Sequence, residues 1–187
     1  MKSIALALAM ALPGCGMGAP TVDFASVEAA VEAVKSPALA LTGRLVDRAS
    51  LFDDARARAL VQRLERLEQA TTDQVVVVSL PSLGSQKIDE LAQSLGTRWK
   101  IGRADVDNGV VMLVAPNERR IWISVGTGLE GLLTNQRTQG IVDRMLPDFK
   151  RGDLPGGIER GVGEIEQVLQ SDRRRPQRLP EPTRKAA

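Results

Sequence analysis

Four consecutive valines, Val75 to Val78, constrain this chain more than any other feature. They lie in Gln74 to Leu80, a run short enough for a strand and too continuously apolar to show one face to water, so both its faces must be covered. Helical stripes able to cover them stand on either side. Upstream, starting at Asp53, the residues Ala57, Leu60, Val61, Leu64 and Leu67 recur at helical spacing behind an acidic N-cap, Asp53 or Asp54. Downstream, after the break Pro81-Ser82-Leu83-Gly84, Ile88, Leu91, Ala92, Leu95 and Trp99 form a second stripe. Val110 to Val114 and Arg120 to Val125 read as two further strands, joined by Ala115-Pro116-Asn117-Glu118 closely enough for an antiparallel hairpin. Helices follow at about Asn135 to Leu146 and Leu154 to Leu169, the latter with Ile158, Val162, Ile165 and Leu169 inward. This order predicts an α/β fold, a three-layer α/β/α sandwich around a small mixed sheet, over residues 43–170.

What the chain lacks narrows its chemistry. Among 187 residues there is no His and no Tyr, which excludes Ser-His-Asp and Cys-His nucleophilic machinery, His-ligated zinc and a His-based pH switch. The single cysteine, Cys15, excludes an intramolecular disulfide, a thiolate zinc cluster and a C-x-x-C redox pair. Any reaction must run on carboxylates, hydroxyls, Lys, Arg or a bound metal.

The two ends read differently from the middle. Lys2 and the apolar run Ile4 to Leu12 have the form of a secretory signal, and the run is shorter than the roughly 20 residues of a spanning helix. Leu12-Pro13-Gly14-Cys15 resembles a bacterial lipobox, which makes residues 1–14 a lipoprotein signal peptide and Cys15 the lipidated first residue. An ordinary signal cut near Gly18-Ala19, discarding Cys15, is the alternative. Residues 15–42 read as a linker with a helix at Thr21 to Lys35, stopped by Ser36-Pro37. Residues 171–187 carry six basic residues against Asp172 and Glu181, with Pro176, Pro180 and Pro182 interspersed. That composition predicts a disordered tail, solvated or touching anionic lipid headgroups, and it accounts for the chain's positive net charge. The remainder is net acidic, so no basic surface for nucleic acid is expected.

Three polar loops stand where helices and strands change over: Gly43 to Arg48, Asp105 to Gly109, and Gly126 to Gly131. The third, Gly126-Thr127-Gly128-Leu129-Glu130-Gly131, matches G-x-G-x-x-G, but it follows the last strand, has Leu146 where an acidic residue about 20 positions on is required, and carries Glu130, which would repel a pyrophosphate. A nucleotide is therefore not expected, and neither is haem or zinc; tight turns with positive φ explain the glycines better. The second contains D-x-D, yet position twelve from Asp105 is Pro116, not the Glu of an EF-hand, and the motif precedes a strand, unlike that of Asp-nucleophile phosphatases. Asp107-Asn108-Gly109 reads either as a simple turn or as part of a cation site in which Asp47, Asp107 and Glu130 converge on calcium or magnesium. Asn108, Gly126 and Gly128 are the accompanying binding candidates.

Four ordered blocks carry a family likeness: Gly43-Arg44-Leu45-Val46-Asp47-Arg48; Trp99-Lys100-Ile101-Gly102 with Asp107-Asn108-Gly109-Val110; Ala115-Pro116-Asn117-Glu118-Arg119; and Gly126 to Gly131. With them the chain resembles the TPM domain family, which includes the thylakoid-lumen protein of photosystem II repair and many bacterial envelope proteins. The resemblance implies an α/β/α sandwich on the non-cytoplasmic side of a membrane. It further implies one of two roles: assembly or repair of membrane complexes, or divalent-cation-dependent hydrolysis of phosphomonoesters at acid pH. Thr127 departs from the family's common aromatic, Asp73 from its common Gly, and the basic tail from its membrane helix and glycine-rich extension. The expected function is thus a non-catalytic, cation- and partner-binding envelope module, lipid-anchored through Cys15 and working with a membrane-protein complex. The alternative is a phosphatase-like hydrolase in which Arg48, Arg103 and Arg119 contact phosphate.

Overall fold

The computed structural model describes residues 39–173. The signal segment, Cys15, the Thr21 to Lys35 helix and the tail beyond Arg173 lie outside the described residues. The elements in chain order are β1 (Leu45–Asp47), α1 (Asp54–Thr71), β2 (Gln74–Ser79), α2 (Ile88–Trp99), β3 (Gly109–Ala115), β4 (Arg120–Val125), a single 3-10 turn (Thr127–Leu129), α3 (Asn135–Lys150) and α4 (Leu154–Arg173). The sheet order is β1-β2-β3-β4, with β1, β2 and β3 parallel and β4 antiparallel to β3.

The valine run behaves as its composition demands. Val75 and Val77 face a core shared with Leu60, Leu64 and Leu67 of α1, Ile141 and Met145 of α3, and Ile158, Val162, Ile165 and Leu169 of α4. Val76 and Val78 face the opposite core, closed by Ile88, Ala92 and Leu95 of α2. Alternate side chains of one strand thus feed two cores, which makes the sheet the middle layer of the predicted sandwich. The hairpin between β3 and β4 and the N-cap at Asp53 also match: the Asp53 carboxylate accepts from the N–H groups of Ala55 and Arg56 at 2.9 and 2.8 Å.

Three differences have physical reasons. Leu45-Val46-Asp47, expected as part of a loop, is an edge strand whose three residues pair with Val77, Val78 and Ser79. Three residues are too few for alternation to register, and the pairing comes from the ladder β2 offers. Helix α3 runs four residues beyond Leu146, through Pro147, to Lys150. The proline removes one helical N–H, and the turn is held instead by buried Asp148, whose carboxylate accepts from Arg160 of α4 at 2.6 Å and pairs with Arg151. Helix α4 likewise extends past Leu169, to Arg173.

Candidate functional site

Strand direction sorts the polar loops to two ends of the sheet. Asp47 closes β1, and the register aligns it with Ser79 and, across β2, with Val114 near the end of β3. Asp107 comes before β3, whose first residue Gly109 aligns with Gln74. Five residues of strand separate those levels, about 16 Å at a rise of about 3.3 Å per residue. Two carboxylates sharing a calcium ion, with ligand distances of about 2.3–2.6 Å, lie within about 5 Å of each other. Asp47 and Asp107 therefore do not share an ion. Among the described residues no three His, Cys, Asp or Glu side chains come together to hold one.

At the Asp47 end, the carboxylates fasten loops. One Asp47 oxygen accepts from Leu51 N–H at 3.1 Å and from the Ser79 hydroxyl; the other accepts from Phe52 N–H at 2.9 Å. Ser79 Oγ in turn accepts from Ala49 N–H at 3.1 Å, so the chain leaving β1 is drawn onto β2 before α1 begins. Across the sheet, Glu118 in the β3–β4 turn accepts from the Ser82 hydroxyl at 2.6 Å and Leu83 N–H at 3.0 Å. The Ser82 bond, reinforced by Leu83 N–H, holds the Glu118 carboxyl below the usual carboxylate range despite its partial burial. Arg48 and Arg119 belong to this end, Arg119 with a left-handed φ of 54° in the tight hairpin turn.

At the other end, the second and third loops are packed against each other. Asp107 adopts a left-handed φ of 50°, as the Asp-Asn-Gly sequence suggests, which turns its carboxylate to the glycine loop. One oxygen accepts from both N–H and Oγ of Thr127, at 2.8 and 2.9 Å, and the Asp107 carbonyl accepts from Gly128 N–H at 3.1 Å. Thr127, at the position where the family commonly has an aromatic, thus supplies two donors to the Asp-Asn-Gly turn. The glycines serve a different need from the one expected. None of Gly126, Gly128 or Gly131 has positive φ; instead, a Cβ on Gly126 would meet the Asp107 carbonyl and one on Gly128 the Val106 carbonyl. Around Gly131 the space is open. The G-x-G portion is therefore a close-approach surface for the preceding loop.

Asn108, a candidate for orienting bound oxygens, is turned inward, at 2% exposure. Its Oδ1 accepts from Arg103 N–H at 2.9 Å, and its Nδ2 donates to the Thr72 carbonyl at 2.8 Å and to Asp73 Oδ1 at 2.9 Å. Asp73, at the family's common Gly position, is thereby a partner of Asn108. Arg103 pairs with Asp105 at 2.7 Å. Glu130, in the turn that follows the 3-10 residues, is exposed at this end, as are Asp107 and Thr127. The sheet thus brings Asp107, Glu130, Gly126 and Gly128 to one end and leaves Asp47 at the other.

Sequence reasoning missed Ser79, Ser82 and Glu118 as bracing residues, because each acts across a distance of 30 residues or more along the chain. It also passed over Trp122, which is 41% exposed on β4. The alternation Ile121, Ile123, Val125 already marks those three as core-facing, so Trp122 was legible as lying on the other face of the strand.

Comparison with known proteins agrees with this architecture. The family model of the TPM domain (TPM_phosphatase) matches residues 45–168. The N-terminal domain of a P. gingivalis protein, solved in solution, is 30% identical with a TM-score of 0.66, covering 72% of this chain and 87% of that one. BA42 from Bizionia argentinensis shares the fold at 18% identity and a TM-score of 0.57, over 64% of this chain and 82% of its own. So does the N-terminal domain of cg2496 from Corynebacterium glutamicum, at 15% and 0.55, over 78% and 89%. No curated protein matches significantly. With two loops locked together by Asp107 and Thr127 and the family model spanning nearly the whole folded domain, the chain belongs to the TPM domain family.

Proposed function

We propose that this TPM-domain protein is exported and lipid-anchored through Cys15, and that it binds a cation and a protein partner to assist assembly or maintenance of an envelope membrane-protein complex. The observation that supports binding over catalysis is the commitment of the polar side chains. A general acid or base needs a lone pair or proton free to reach substrate. Both Asp47 oxygens accept hydrogen bonds from within the domain, Asn108 uses its oxygen and both its donors are drawn into the fold, and one Asp107 oxygen carries two donors from Thr127. These residues set loop geometry. Calcium or magnesium, which favour oxygen ligands on adaptable loops, would be held by Asp107 and Glu130 with neighbouring carbonyls, and Asp47 would take no part. Export and anchoring rest on Lys2, the Ile4 to Leu12 run and Leu12-Pro13-Gly14-Cys15; among the described residues no helix is long and apolar enough to cross a membrane.

A phosphatase-like hydrolase is the second reading, favoured by the name of the family model. An acid phosphomonoesterase assay on the full chain with calcium or magnesium separates the two. The binding reading expects no turnover above that of the Asp107→Ala variant. Turnover that disappears in Asp107→Ala overturns it in favour of the hydrolase.

A further inference from the structure

Among the described residues, strand β4 has a neighbour on one side only. Gly126 N–H donates to the Gly109 carbonyl at 2.8 Å, and antiparallel ladders alternate, so Ser124, Trp122 and Arg120 direct their backbone groups at β3. Ile121, Ile123 and Val125 therefore turn their N–H and C=O groups to the open edge. An exposed row of this kind is a template for another strand unless charge, proline or a covering segment blunts it. No residue of β4 is a proline.

A groove of about 540 Å³ runs along that edge. One wall is the first turns of α2, with Asp89 and Glu90; the other is the loop entering α3, with Glu130, and the first residue of that helix, Asn135; Trp122 and Ser124 form part of the floor. Among the described residues, three carboxylates line it and no Lys or Arg does. Glu90 shares its charge with Lys87 at 2.8 Å, while neither Asp89 nor Glu130 has an ion-pair partner among the described residues.

We infer that this groove takes an extended peptide of a partner protein by strand addition to β4, and that the peptide carries Lys or Arg at alternating positions. This inference deepens the partner-binding reading and rests on it. Backbone pairing to Ile121, Ile123 and Val125 supplies the register, as in other sheet-edge recognition. Alternate side chains of the added strand share one face, so its Lys or Arg residues lie together against the α2 wall, beside Asp89 and Glu90. A cationic head above Trp122 meets the face of an indole, a favourable arrangement for Lys or Arg. The chain's own basic tail fits poorly, because Pro176, Pro180 and Pro182 remove ladder donors.

The test uses the full chain and an end-capped hexapeptide alternating lysine and valine. Amide hydrogen exchange at Ile121, Ile123 and Val125 should slow on saturation, while exchange within α4 stays unchanged. The Asp89→Asn, Glu90→Gln double variant, altered only at exposed side chains, should bind about tenfold more weakly. A glutamate-for-lysine peptide should not bind, and N-methylation of alternate peptide nitrogens should abolish binding. Equal binding of the N-methylated peptide, or binding without slowed exchange at those amides, overturns strand addition. Slow exchange there before any peptide is added assigns the edge to the chain itself and also overturns the inference. Absence of peptide binding overturns it while leaving the phosphomonoesterase test of the broader reading intact.

Discussion

Replacing Asn108 with alanine separates a residue that braces the loops from one that orients a ligand. The side chain is buried and makes three hydrogen bonds, to Arg103 N–H, the Thr72 carbonyl and Asp73. At about 1 kcal/mol net for each bond, Asn108→Ala loses about 3 kcal/mol, and water reaching the cavity at the loop surface trims this toward about 2 kcal/mol. For a domain of this size 1 kcal/mol corresponds to about 4 °C, so the unfolding midpoint should fall by about 8–12 °C. Asn108→Asp is a sharper control. It retains the acceptor for Arg103, loses both donors and sets a second carboxylate beside Asp73, so it should be at least as destabilised at neutral pH and recover partly below about pH 4. Thermal unfolding followed by circular dichroism at several pH values reads both. A midpoint for Asn108→Ala within about 2 °C of wild type would show that the three bonds do not brace the loops, and the structural assignment would fail.

Gly126→Ala and Gly128→Ala push a methyl group into backbone carbonyls that cannot move aside, and each should destabilise by about 1–3 kcal/mol in urea unfolding, whereas Gly131→Ala, in open space, should stay within about 0.5 kcal/mol. The Arg160 guanidinium, with Arg151, holds the Asp148 carboxyl below the usual carboxylate range. Its folded pKa lies below its unfolded value of about 3.9, so the stabilisation is complete above that value and is lost as pH falls through the folded pKa. Asp148→Asn should therefore be less stable than wild type at pH 7, and the gap should narrow as an acid titration passes below about pH 4. Cys15→Ser should move the protein from the detergent phase to the aqueous phase in a partition assay of expressing cells; unchanged partitioning would remove the lipid anchor.

The contrast between what was legible and what was not follows from the range of the forces involved. Helix stripes such as Leu60, Leu64 and Leu67, and the two-faced valine run, are local periodicities that burial enforces, and they appear where the sequence places them. The Asp53 cap is local too. The edge strand Leu45–Asp47 is not, because its only reason to be extended is the neighbouring strand β2. That single omission grouped Asp47 with loops at the far end of the sheet. Once Asp47 ends a strand and Asp107 precedes one, parallel pairing sends them to opposite ends of the sheet. Read as two loops, they could be supposed to meet. The glycine motif shows the same limit: the spacing was visible, but the carbonyls of Val106 and Asp107 that exclude a side chain come from another loop.

The central claim is that binding belongs to the Asp107 and Glu130 end of the sheet, and that Asp47 only braces β1. A calcium titration of the unfolding midpoint, run on wild type, Asp107→Ala, Glu130→Ala and Asp47→Ala, tests it directly. A ligand at a hundredfold excess over its Kd adds about 2.7 kcal/mol, enough to raise the midpoint by about 10 °C. Asp107→Ala and Glu130→Ala should abolish this rise, and Asp47→Ala should keep it from a lower starting midpoint. No rise in wild type, or a rise lost in Asp47→Ala and kept in the other two, would contradict it.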